Sequence, residues 1–126
     1  MSDSLIYRGG CHCGQIVYEV DGPIEGIEEC NCSICVKKGY LHWIVSPERF
    51  RLLTPAAELT TYTFNTGTAK HHFCPRCGVA SFYIPRSAPD KIDVNLRCVE
   101  NVELDTLNKS HFDGRNWETA IRKHHR

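Results

Sequence analysis

The sequence predicts a mainly β fold of short antiparallel strands with a few short helical turns, on three observations. Several short stretches rich in β-branched and aromatic residues alternate apolar with polar positions. Turn-forming residues separate them. No stretch keeps a helical period for three turns.

Taken in order, Gln15–Val20 puts Ile16, Tyr18 and Val20 on one face and Val17 on the other, before the turn formers Asp21-Gly22-Pro23. A short helical turn fits Ser33–Lys37, and a second fits Ser46–Phe50, which opens on a Ser-Pro-Glu capping pattern. Leu41–Val45, Leu59–Phe64, Val79–Ile84 and Ile92–Leu96 read as further strands, as does the segment holding His71 and His72. Asn65-Thr66-Gly67 and Ser87-Ala88-Pro89-Asp90 read as turns. The segment Phe112–Glu118 holds a turn and Trp117, expected to pack back on the domain or to lie over a site. The charged run Arg122-Lys123-His124-His125-Arg126 reads as a solvated terminus. At 126 residues, 1–126 is expected to be one domain, with a core at about 7–98 and a C-terminal extension at 99–126.

Charge and hydropathy exclude whole classes of function. Lysine plus arginine (15) equals aspartate plus glutamate (15), so a nucleic-acid partner, which needs a basic surplus or stripe, is not expected. No apolar run approaches the roughly 20 residues of a membrane span. The start, Met-Ser-Asp-Ser-Leu-Ile-Tyr-Arg, lacks the pattern of an export signal, so a cytoplasmic protein is expected.

Eight cysteines and seven histidines do not suit a bland domain. Pairs at C-x-C and C-x-x-C are too close to bridge each other well and suit metal chelation, above all by zinc. Three such clusters occur: Gly9-Gly10-Cys11-His12-Cys13-Gly14, Cys30-Asn31-Cys32-Ser33-Ile34-Cys35 and Cys74-Pro75-Arg76-Cys77-Gly78. In extended backbone residues two apart share a face, so Cys11 and Cys13 can grip one ion. The natural partition joins Cys11/Cys13 to Cys74/Cys77 as a closed structural site. It leaves Cys30, Cys32 and Cys35 as a three-thiolate site with one position open. Either that position takes substrate, or a histidine, His71 or His72 being nearest by type, fills it; spacing leaves both alternatives and other partitions open. Cys98, alone after a strand, reads as a small buried apolar residue.

Three-cysteine zinc also occurs in nucleobase deaminases, whose signature is H-x-E followed by P-C-x-x-C. Here no histidine has a glutamate two places on, and Phe73 precedes Cys74. That chemistry is excluded.

The set Gly-Gly-Cys11-His-Cys13-Gly, Cys30-Asn-Cys32-Ser-Ile-Cys35, His72-Phe-Cys74-Pro-Arg-Cys77-Gly and Pro85-Arg86-Ser87 resembles the glutathione-dependent formaldehyde-activating family, which shares its domain with centromere protein V. The resemblance runs from about Tyr7 to Cys98. It implies the β-tent zinc fold, a structural zinc on Cys11, Cys13, Cys74 and Cys77, and a catalytic zinc on Cys30, Cys32 and Cys35. It also implies carbon–sulfur lyase chemistry joining glutathione and formaldehyde as S-hydroxymethylglutathione. The expected partners are therefore a small thiol such as glutathione and a small aldehyde, with two Zn²⁺ per chain. Seven ligand thiolates against two dications bring the charge to about minus three, which favours a soft thiol over a phosphate.

Arg86 and Arg97 are candidates to clamp a substrate carboxylate, or else pair with Asp90 or Asp93. His72 is a further substrate-binding candidate, and His71 or His72 a proton carrier beside the metal. Tyr40, His42 and Trp43 either wall the open site or belong to an aromatic core. The competing function is a non-catalytic, zinc-binding interaction module of the same fold.

Overall fold

The structure of the protein, a computed structural model, describes residues 5–123. In chain order its strands are β1 (Ile6–Gly10), β2 (Val17–Asp21), β3 (Glu28–Cys30), β4 (Leu41–Val45) and β5 (Phe50–Leu52), then β6 (Thr60–Tyr62), β7 (His71–Phe73), β8 (Phe82–Tyr83), β9 (Ile92–Asn95) and β10 (Ser110–Phe112). Two six-residue helices, α1 (Ser33–Lys38) and α2 (Trp117–Arg122), and several 3₁₀ turns join them. The strands form three sheets, ordered β1-β2-β5, β10-β3-β4-β9-β8 and β6-β7. All pairings are antiparallel except β10 with β3.

The five-stranded sheet has two unlike faces because its strands alternate. Leu41, Trp43 and Val45 of β4, Val94 of β9 and Phe82 of β8 join the core cluster. They meet Tyr18 and Val20 from the first sheet and Ile16 from the loop before it; burying each large apolar side chain is worth about 1.5–3 kcal/mol. Tyr18 packs edge-on against Phe82, and its hydroxyl donates to the Ser81 carbonyl at 3.0 Å, so the ring is buried without a stranded hydroxyl. The intervening residues, His42, Asp93 and Tyr83, belong to the opposite face. There a histidine and a carboxylate sit side by side with almost no solvent contact.

The expected strand at Leu41–Val45 is observed with those bounds. The others are displaced or trimmed where backbone groups are needed elsewhere. The strand expected at Gln15–Val20 begins at Val17, because the Cys11 N–H takes the Ile16 carbonyl and curls residues 11–16 into a loop. Val79–Ile84 shrinks to Phe82–Tyr83: the Val79 carbonyl accepts from Cys74 N–H and the Ala80 carbonyl from the Asn95 amide. Ile92–Leu96 ends at Asn95, whose side chain accepts from Arg97 N–H and starts a 3₁₀ turn. Leu59–Phe64 is reduced to Thr60–Tyr62. Ser46 makes no side-chain cap; Pro47 alone sets the entry to the 3₁₀ turn Pro47–Arg49. The strand around His71 and the helical turn at Ser33 are present. Of the charged terminus, Arg122 ends α2 and residues 124–126 lie outside the described residues.

Candidate functional site

Two groups of metal-ligating side chains form, by different routes. In the first, Gly10 carries the chain into the Cys11 loop where a Cβ would sit 2.0 Å from the Ile16 carbonyl oxygen, so only glycine fits. Ile16 N–H then donates to Cys11 Sγ at 3.2 Å. Cys74-Pro75-Arg76-Cys77-Gly78 is a tight knuckle: Gly78, at φ 80°, donates to the Cys74 carbonyl at 2.8 Å, and Arg76 N–H points at Cys74 Sγ at 3.4 Å. The four sulfurs of Cys11, Cys13, Cys74 and Cys77 lie within 4.8 Å of one another, with Cys11–Cys13 at 3.7 Å and Cys13–Cys74 at 3.6 Å. A zinc–sulfur bond of about 2.3 Å gives a tetrahedron edge of about 3.8 Å, so these thiols already have the spacing of a four-thiolate zinc site. Burial opposes ionisation of Cys77, but backbone N–H groups and its neighbouring thiols hold it at about 6.

The second group begins where β3 ends. Cys30 is its last residue, Cys32 caps α1 by accepting from Cys35 N–H at 3.4 Å, and Cys35 is buried in the first turn of the helix. Gly39, at φ 64°, terminates α1 and returns the chain into β4, which carries His42. The ligand atoms of Cys30, Cys35 and His42 lie within 4.8 Å of one another. Cys32 falls outside that set with His42 but hydrogen-bonds both Cys30 and Cys35, which hold its thiol down to about 2. The same contacts push Cys35 far up, so the triplet shares negative charge that a cation would relieve.

His42 Nδ1 lies 2.7 Å from Asp93 Oδ2, and both residues are essentially inaccessible. His42 Nε2 is buried with no hydrogen-bond partner. An unpartnered imidazole nitrogen beside thiols suits a metal, so both groups fit zinc by donor chemistry. The histidine at the triplet is thus neither His71 nor His72, the two nearest by residue type. Alternation in Leu-His-Trp-Ile-Val and Ile-Asp-Val-Asn, which sets His42 opposite Trp43 and Asp93 opposite Val94, is the signal in the sequence that points to this pair.

The triplet and His42 floor a cavity of about 450 Å³. His71 and Tyr83 stand beside it, their rings stacked at 4.8 Å with planes 11° apart. Burial, then the nearby Lys38 charge, lowers His71 to about 4, so its imidazole is neutral at neutral pH. Lys38 Nζ is 3.3 Å from His71 Nδ1. Arg86 is on the cavity rim with its guanidinium 3.8 Å over the Trp117 ring. Among the described residues it pairs with neither Asp90 nor Asp93, the latter being engaged by His42. Arg97 is exposed, lies off this cavity and donates to the Gly39 carbonyl at 3.0 Å. His72 also lies off it, sharing a 2.9 Å hydrogen bond with Thr61. Cys98 joins neither cysteine group, and burial pushes it up to about 11.

The remaining wall comes from the C-terminal segment, for which the sequence leaves packing and lid as alternatives. β10 pairs with β3, and Asn31 then clamps residues 113–115. Its amide donates to Asp113 at 2.9 Å, its side-chain oxygen accepts from Arg115 N–H at 3.0 Å, and its carbonyl accepts from Arg115 Nε at 2.9 Å. Gly114 passes so close that a Cβ would meet Cys30 Sγ at 2.5 Å.

Residues 6–113 match the family described as glutathione-dependent formaldehyde-activating enzyme. The chain belongs to that family. A solved structure of a Rhodobacter sphaeroides protein is similar to this member of the glutathione-dependent formaldehyde-activating family at 33% identity and a TM-score of 0.75, over 82% of this chain and 98% of the other. Among the described residues no helix is long and apolar enough to cross a membrane.

Proposed function

We propose that this protein is a zinc-dependent carbon–sulfur lyase acting on thiol–aldehyde adducts of the kind glutathione forms with formaldehyde. The observation that carries the reading is the position of Cys30, Cys32 and Cys35 on the floor of a cavity large enough for a small thiol. Four-thiolate zinc on Cys11, Cys13, Cys74 and Cys77 is structural in this reading, and the triplet holds the catalytic ion. A zinc ion bound there would lower the pKa of a thiol brought to it.

The chain's own residues supply the rest. Arg86, already braced on Trp117, receives a carboxylate of the thiol substrate. His71, neutral at working pH, relays the proton the thiol loses to the carbinol oxygen, without resting as imidazolium, as sulfur bonds to the aldehyde carbon. In reverse it removes the hydroxyl proton, the carbon–sulfur bond breaks, and the thiol regains a proton. The stacked Tyr83 and the rim aromatics limit access of water. His72 and Arg97 have no part in this scheme, because neither lines the cavity. The setting is the reducing cytoplasm, where such thiols persist, and residues 1–126 act as one domain.

A non-catalytic interaction module is the second reading. It is favoured by His42, because a site filled by four protein donors has the character of a structural centre. Exchange NMR of glutathione with formaldehyde separates the two. The lyase reading expects faster exchange when the zinc-loaded protein is added. No acceleration with glutathione or with other small thiols would leave the module.

A further inference from the structure

We infer that, in the substrate-free protein, His42 is the fourth ligand of the second metal centre, through Nε2, yielding that position when a thiol enters, and that Asp93 is the positioning residue that fixes it in that role. Alternation along β4 puts His42 on the face away from Trp43, and the same rule on β9 brings Asp93 to that face, two positions along in register, where it pairs with Ile44. Nδ1 of His42 then lies 2.7 Å from Asp93 Oδ2. A carboxylate can only accept, so Nδ1 carries the proton and Nε2 keeps a lone pair. That lone pair is buried and has no partner, a costly state unless something fills it. The sulfurs of Cys30 and Cys35 lie within 4.8 Å of a ring nitrogen of His42, and Nδ1 is already taken by Asp93. Once those sulfurs are metal-bound thiolates they have no proton to offer, and the metal itself becomes the acceptor's partner. A carboxylate behind a ligating imidazole is the arrangement that fixes its tautomer and raises its basicity.

The inference rests on the reading that the triplet holds a metal, and the test separates the two. Full-length protein, ¹⁵N-labelled at histidine and sequentially assigned, is loaded with ¹¹³Cd²⁺. The expected result is two cadmium resonances, one of thiolate-only character and one upfield of it, with His42 Nε2 alone among histidine nitrogens coupled to the second and the proton on Nδ1. Asp93→Asn is expected to lower metal affinity at that centre by about 10–100-fold in chelator competition, leaving the first resonance unmoved. Two bound cadmium ions with no coupling to His42, or a proton on Nε2 in the loaded protein, would overturn the ligand assignment alone. Uptake of a single cadmium would overturn it together with the two-metal reading. Neither result depends on turnover.

Discussion

The two cysteine groups use the same donor atom but are assembled in opposite ways. Cys13 and Cys74 are 61 positions apart, and the first group has no complete set of ligands until two distant loops meet. Cys30, Cys32 and Cys35 come from one short segment, and only His42 is added from the next strand. A ligand set spread along the chain fastens the fold, since binding there closes a long loop. A local set already has its geometry from α1 and β4, and the fold can instead dress it with a cavity. The first group is set in loops stitched to backbone; the second faces open volume.

Substitutions put this contrast to the test. The largest effect is expected from Cys74→Ser. Structural zinc contributes on the order of 10 kcal/mol in small domains, more than a typical domain's net stability, so cooperative thermal unfolding followed by circular dichroism is expected to vanish. A native-like melt would show that the first group does not hold the fold. Cys35→Ser is expected to keep that melt and one bound zinc, and to slow thiol–aldehyde exchange by about 100-fold or more, measured by NMR beside zinc stoichiometry. Loss of folding in this variant would erase the distinction between the two groups.

Gly114→Ala tests the wall. Its Cβ would meet Cys30 Sγ at 2.5 Å and Cys32 Cβ at 2.7 Å, so the segment must lift, at an expected cost of about 1–3 kcal/mol in urea denaturation. The smallest effect concerns His71. Its pKa falls from 6.5 in the unfolded chain to about 4 in the folded one, so between those values the unfolded chain binds more proton. The stability associated with neutral His71 is present above pH 6.5 and is lost as pH falls toward 4. With zinc in excess so that both proteins keep the first ion, the difference in denaturation free energy between wild type and His71→Gln is expected to change across that window and to be flat above it.

Much of this is legible in the sequence, and for definite reasons. C-x-C and C-x-x-C spacing is a local property, so both groups can be read without a fold. Strands with four or five alternating residues can be read too, as Leu41–Val45 shows. Strands of three residues, such as β3, β5 and β10, fall below what periodicity resolves, and their pairing is decided by partners far away. His42 is ambiguous for a related reason. The pattern assigns it a face, but only the register of β9 against β4 shows that Asp93 waits on that face. Arg97 and His72 have suitable chemistry, and three-dimensional placement takes both from the cavity.

The parallel pairing of β10 with β3 has a temporal meaning. Chains are made from the N-terminus onward. Every ligand of the first group has been synthesised once Cys77 has, whereas the carboxylate behind His42 comes later at Asp93, and the wall over the triplet only with Ser110–Trp117. A nascent chain therefore holds every candidate ligand of both groups by Cys77, before the residues that complete the second site. The chamber around the second centre is built last, with its cysteines already in place.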